Sequence, residues 1–172
     1  EGIQDGKKFL EVAKNCKKPL IILKGGRSEK GAKATLSHTG SLAGSYQVYQ
    51  GALRQAGCIV TESLEEMFHI AKLFVMLPKP KGKRIQVITN GGGYGIMTID
   101  ELEQQDLLLA EMNEKTRIFL KHHVPKIVTI ANPMDLVGDT TNERYGLALK
   151  MCVDDNNIDV ILLIILHQTP LI

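Results

Sequence analysis

Apolar residues in this chain fall into short continuous runs, separated by stretches in which they recur at helical spacing. The alternation continues from one end to the other. "GKKFLEVAKN" (Gly6–Asn15) predicts a helix with Phe9, Leu10 and Ala13 on one face. "PLIILK" (19–24) predicts a buried strand, residues 42–56 a helix ended by Gly57, and "CIVT" (58–61) a short strand. Ser63 followed by Glu66 is a capping-box pair opening a further helix. Its apolar residues Leu64, Met67, Phe68, Ala71, Phe74 and Val75 keep the helical period, and His69 falls beside that stripe. After "LPKPKGK" the pattern restarts. It predicts a strand at 84–90, a glycine turn at 91–95, a helix at 96–105, a strand at 107–112 and a helix at 113–121. A loop leads to a helix from about Thr141, with Tyr145, Ala148, Leu149, Cys152 and Val153 facing the core. "VILLIIL" (160–166) is the strongest strand.

Strands alternating with helices imply α/β architecture with largely parallel sheets. The Pro- and Lys-rich stretch 78–83 separates two units, 1–77 and 84–172. Each carries a basic pair, an apolar strand and a glycine turn, "KKPLIILKGG" and "KRIQVITNGGG". The chain starts at Glu1 without Met and stops shortly after a strand, so it is expected to be a piece of something longer.

Composition narrows the class. Hydrophobic residues make up 44% and charged residues 23%, with net charge +2, which argues against disorder and against a nucleic-acid binder. Lys79, Lys81 and Lys83 alternate with Pro78, Pro80 and Gly82, the mark of a solvated linker. Cys16, Cys58 and Cys152 lie far apart without C-x-x-C spacing, which suits a reducing cytosol. No apolar run is long enough to span a bilayer, and no signal peptide is visible. A cytoplasmic location is expected.

Two stretches carry chemistry. "VITNGGGYGIM" runs from a strand through glycines into a helix, where free backbone N–H groups and the helix dipole favour an anion. For a dinucleotide fingerprint Gly91 and Gly93 fit and Glu111 falls where a ribose-binding acid would sit, but Ile96 takes the third glycine position. That reading is kept as an alternative. At 26–34 a P-loop fails, because Ala32 replaces its lysine and Lys33 its hydroxyl residue. The adjacent His122 and His123 have no acidic or Cys partner at ligand spacing, so no metal is expected.

"ATLSHTGSLAGS" (34–45) places His38 among small and hydroxylated residues, at the tip of what reads as a flexible polar loop. An unperturbed imidazole has a pKa of about 6.5 and is nucleophilic at neutral pH. It can accept a phosphoryl group if helix ends cradle the product, and small neighbours let such a loop swing between two donors.

"KPLIILKGGRSEKGAKATLSHTGSLAGS" resembles the phosphohistidine loop of the NDP-forming acyl-CoA synthetases, the superfamily of succinyl-CoA synthetase and the ADP-forming acetyl-CoA synthetases. "SHTGSLAGS" is more similar to the acetyl-CoA synthetase branch. "TNGGGYGIMTIDELE" resembles the start of the family's second phosphate-facing helix, and the stretch from "ANPMDLVGDTT" to "ILLIIL" the segment that follows.

The resemblance implies two flavodoxin-like parallel-sheet domains, each incomplete here. It implies that acyl-CoA and phosphate form an acyl phosphate, that His38 takes the phosphoryl group, and that the loop carries it to ADP, reversibly. Ser37, Thr39, Gly40 and Ser41 would form the loop, and Glu1 would orient the imidazole. Asn90, Gly91, Gly92, Gly93, Tyr94 and Gly95 would bind phosphate, the N–H groups of 91–95 above all. ATP or ADP, phosphate, CoA and Mg²⁺ are implied, with nucleotide and CoA held mainly by an ATP-grasp subunit or domain and a CoA-binding domain outside this chain. A hetero- or homo-oligomer follows, with neither nucleic acid nor membrane as partner. A rival is a non-catalytic, ligand-sensing module of a protein acetyltransferase, in which the phosphohistidine is typically lost; the presence of His38 favours the enzyme.

Overall fold

The computed structural model describes residues 2–39 and 45–167, apart from the side chains of Leu36, His38 and Thr39. It divides into two compact units, Glu1–Lys79 and Pro80–Ile172, and the division falls inside the Pro- and Lys-rich stretch. No helix among the described residues is long and apolar enough to cross a membrane.

The first unit runs α1 (Gly6–Asn15), β1 (Ile21–Leu23), α2 (Glu29–Thr39), α3 (Tyr46–Gln55), β2 (Ile59–Thr61) and α4 (Leu64–Met76). Asp5 caps α1 by accepting from the Lys8 N–H at 2.9 Å. β1 and β2 pair in parallel, Ile21 opposite Ile59. Between them α3 ends at Gly57, whose φ of +83° is the left-handed turn that favours glycine. The Gly57 N–H donates to the Arg54 carbonyl and the Cys58 N–H to that of Leu53, a Schellman closure that sends the chain straight into β2. Ala13, Leu53, Ala56 and Cys58 form the core, flanked by Phe9, Leu10, Leu20, Ile22 and Val60.

Two expectations change here. Residues 34–39, expected as loop, are the second half of α2: Ala34 and Leu36 are strong helix formers, and the Thr35 and Ser37 hydroxyls donate back to the carbonyls of Gly31 and Lys33. The helix expected at 42–56 is described from Tyr46 onward, and 42–44 lie outside the described residues. α4 forms as its period predicts, with Ser63 accepting from the Glu66 N–H at 3.1 Å. Its Leu64, Phe68, Phe74 and Val75 are nevertheless exposed.

The second unit contains β3 (Arg84–Thr89), α5 (Gly92–Gln104), β4 (Leu108–Leu109), α6 (Glu114–His123), β5 (Met134–Asp135), α7 (Asn142–Val153) and β6 (Val160–Ile164). All its strand pairs are parallel and all involve β3. β6 pairs with the length of β3 from Ile85 to Thr89, while β4 pairs at Arg84 and Ile85 and β5 at Ile88 and Thr89. A strand has two edges, so β4 and β5 share the edge opposite β6. Connections therefore leave β3 toward both sides, and the carboxyl ends of β3 and β6 form a topological switch point, where open α/β sheets bind ligands. Ile88, Leu120, Met134, Leu136, Tyr145, Ala148 and Cys152 pack one core; Ile85, Val87 and Leu102 pack the other face.

Four differences follow. The 91–95 turn is already helix, since α5 starts at Gly92 with Gly91 as its N-cap. The strand expected at 107–112 narrows to two residues, and β5 stands in the expected loop. Val153 is exposed, one position past the buried Cys152 on α7.

Candidate phosphate and phosphoryl-carrier sites

In the second unit the sheet delivers Thr89 and Asn90 to the switch point, both buried. The Asn90 amide donates to the Leu166 carbonyl at 2.8 Å and accepts from the Leu166 N–H at 2.9 Å, joining the segments that leave β3 and β6. The Thr89 hydroxyl accepts from the Gly91 N–H at 3.0 Å. The N–H groups of Tyr94 and Gly95 donate back to the Gly91 carbonyl at 3.0 and 3.3 Å. Of the five N–H groups expected to bind phosphate, those of Gly91, Tyr94 and Gly95 are thus already used. Those of Gly92 and Gly93, at the positive end of α5, have no acceptor among the described residues. This site is narrower than its motif.

The glycines there have different reasons. A Cβ on Gly92 would lie 2.6 Å from Asp135 Oδ2, and one on Gly95 would lie 2.9 Å from Pro133 Cβ. Both are packed against the chain around β5. A Cβ on Gly93 meets nothing within 4 Å, so this glycine faces open space. Asp135 Oδ1 accepts from the Val137 N–H at 2.9 Å, and Val137 holds φ +61°, a left-handed conformation costly for a β-branched residue. Arg144 ties this loop to α7, donating to the Leu136 carbonyl at 2.9 Å and to Asp139 at 2.7 Å. Sequence reasoning named the glycines and missed Asp135, which it placed inside a loop, and Arg144, which it placed on the helix from about Thr141 without a role.

In the first unit His38 lies in the last turn of α2. The Ser37 hydroxyl is exposed and donates to the Lys33 carbonyl at 3.2 Å. Glu1, Gly40 and Ser41 lie outside the described residues, as do the side chains of His38 and Thr39. At the carboxyl end of β1 stands Lys24, which the sequence reading treated only as a strand terminus. It is buried; its Nζ donates to the Gly25 carbonyl at 2.6 Å and lies 4.8 Å from the centre of the Tyr49 ring. Arg27, three residues on, pairs with Glu62 at 2.8 Å.

His123 Nδ1 is 2.8 Å from the Phe119 carbonyl and its ring stacks on Phe119. Among the described residues no group of three His, Cys, Asp or Glu could hold a metal ion.

Residues 1–74 match the succinyl-CoA ligase like flavodoxin domain. Over 171 residues the chain is 42% identical to the alpha subunit of ADP-forming acetate–CoA ligase II from Pyrococcus furiosus, covering 98% of this chain and 37% of that one. The chain belongs to the NDP-forming acyl-CoA synthetase superfamily. Another synthetase of this superfamily, ADP-forming acetate–CoA ligase I of Archaeoglobus fulgidus, is 42% identical over 167 residues, 96% of this chain and 24% of its own. Among solved synthetases, the dinucleotide forming acetyl-coenzyme A synthetase 1 of Ca. Korarchaeum cryptofilum, in complex with phosphate and ADP, superposes with a TM-score of 0.85 at 33% identity. It covers 98% of this chain and 38% of that one. The parallel-sheet units are thus of the flavodoxin-like, succinyl-CoA ligase type. The chain spans less than two fifths of each of these synthetases.

Proposed function

We propose that this chain is part of an ADP-forming acyl-CoA synthetase, of acetate–CoA ligase type, and that it carries the phosphoryl group between two half-reactions. The observation that carries the reading is the pair of unengaged N–H groups at Gly92 and Gly93, at a switch point, in a chain that also bears "SHTG". Phosphate displaces CoA from acyl-CoA to give an acyl phosphate. His38 then attacks phosphorus: a nitrogen–phosphorus bond forms, the acyl carboxylate leaves, and the free acid is released. ADP attacks the phosphohistidine next, which yields ATP and restores the imidazole. Glu1 orients that imidazole, and Ser37, Thr39, Gly40 and Ser41 keep its surroundings small.

The Gly92 and Gly93 N–H groups hold phosphate oxygens. Their catalytic value lies in being fixed before charge develops, so no reorganisation is needed in the transition state. Mg²⁺ belongs with the nucleotide, in a partner module. An ATP-grasp module and a CoA-binding module complete the enzyme, and both flavodoxin-like units gain their remaining strands from sequence outside this chain. The assembled enzyme works in the cytoplasm.

Turnover by the 172-residue chain is the direct test. The chain alone forms no acyl-CoA from acid, ATP and CoA, and addition of the missing modules restores synthesis. Synthesis by the isolated chain would refute the division of labour. Synthesis by the complete enzyme with His38→Asn would refute the carrier role.

A further inference from the structure

We infer that Lys24 is an anion-binding residue of the first unit, and that its ligand is a phosphate or phosphoryl group. The inference deepens the phosphoryl-transfer reading and rests on it for the identity of the anion.

Lys24 is 7% exposed. An ammonium has three N–H donors, and burying one without an opposite charge is costly. Here one donor meets the Gly25 carbonyl, and the Tyr49 ring face, 4.8 Å away, attracts the cation without supplying a lone-pair acceptor. Two N–H groups are left with no acceptor, and no carboxylate pairs with Lys24 among the described residues. Glu62, which follows β2 as Lys24 follows β1, is engaged by Arg27 at 2.8 Å. Lys24 is therefore a buried charge awaiting a partner.

Its place fits an oxyanion. Lys24 ends β1, one of two parallel strands, and precedes the turn at Gly25 and Gly26 that leads into α2. Gly26 has φ +78°, and a Cβ there would lie 3.8 Å from Lys24 Nζ and 3.3 Å from Thr35 Oγ1. A glycine at that position keeps the space beside the ammonium free of a side chain. The start of α2 carries Glu29 in its first turn and its Gly31 N–H is taken by the Ser28 hydroxyl, so the attraction comes from Lys24 itself, whose two unused donors suit an anion with more than one charge and more than one acceptor oxygen. Inorganic phosphate, or a phosphoryl group in transfer, has both properties.

The test is calorimetric titration of inorganic phosphate into the complete enzyme, compared among wild type, Lys24→Met, Lys24→Gln, Lys24→Arg and His38→Asn, with thermal midpoints recorded. Loss of two charge-assisted hydrogen bonds predicts that both neutral variants bind phosphate about 10- to 100-fold more weakly. Arg should keep affinity within about threefold, because it keeps the charge and the donors. His38→Asn should bind phosphate as the wild type does. Wild-type affinity in a folded Met or Gln variant overturns the inference. So does equal loss in Met, Gln and Arg at unchanged thermal midpoint, which would mark a packing role. Binding is read without turnover, so the two proposals can fail separately. An enzyme whose affinity depends on Lys24 but which is never phosphorylated at His38 refutes only the carrier reading. An enzyme phosphorylated at His38 with affinity indifferent to Lys24 refutes only this one.

Discussion

Asn90 and Leu166 exchange two hydrogen bonds, at 2.8 and 2.9 Å, across the carboxyl ends of β3 and β6. A single side chain therefore ties together the segments that leave the two strands between which the proposed phosphate site opens. Asn90→Ala would leave both Leu166 backbone groups without that partner, so a loss of about 1–3 kcal/mol is expected in urea unfolding. Asn90→Asp would set a buried carboxylate oxygen against the Leu166 carbonyl, and should cost at least as much as Ala.

The glycines of α5 should separate packing from binding. Gly93→Ala meets open space and replaces a poor helix former, so stability should rise by up to about 1 kcal/mol. Gly95→Ala drives a methyl group against Pro133 and should lower the thermal midpoint. Gly92→Val confounds the two effects, because Asp135 Oδ2 occupies the space a side chain needs. Gly93→Val is the cleaner probe: phosphoryl transfer in the complete enzyme should fall while the fold persists.

Which of these facts the sequence disclosed follows from the range of the interactions. Helix α1, the Ser63 cap of α4 and the Gly57 reversal are set by residues within one turn of each other, and they were legible. Residues 34–39 were not, because the strong helix formers Ala34 and Leu36 alternate with the weaker Thr35, Ser37 and Thr39, and local preference leaves the state undecided. β5 is two residues long and exists because Met134 and Asp135 meet Ile88 and Thr89, some 45 positions away. The period of α4 announced a helix but not which of its faces is covered. The glycines announced an anion site, while the hydrogen bonds that reduce it to Gly92 and Gly93 depend on Thr89 and on helical closure. Lys24 carried a faint signal, a cation between an apolar strand and two glycines, whose meaning required its burial.

Acid should weaken the second unit through Asp159. Arg84 grips this carboxylate with Nε at 2.9 Å and Nη2 at 2.8 Å, and the guanidinium hydrogen bonds hold its pKa down at about 2 against an ordinary 3.8. A depressed folded-state value means that the stabilisation is complete above the ordinary value and is lost as pH falls from about 4 toward 2. Asp159→Asn should flatten stability across that window and leave its slope near neutrality unchanged.

The three thiols should react in order of exposure. Cys16 is exposed, whereas Cys58 and Cys152 are buried, and burial pushes the Cys152 thiol up to about 12. Iodoacetamide at neutral pH should label Cys16 in the native protein and the other two only after unfolding. Native labelling of Cys152 would show that α7 is not packed as described.

The central claim is that His38 carries the phosphoryl group. Its most direct test is mass spectrometry at neutral pH of the complete enzyme after brief exposure to ATP and Mg²⁺, with fragmentation that locates the added phosphate. One phosphate is expected on His38, stable to alkali, released by acid, and absent from His38→Asn, whose unfolding free energy should stay within about 0.5 kcal/mol of wild type. Phosphate on Ser37, Thr39 or Ser41, or an unmodified enzyme that still turns over, would contradict the account.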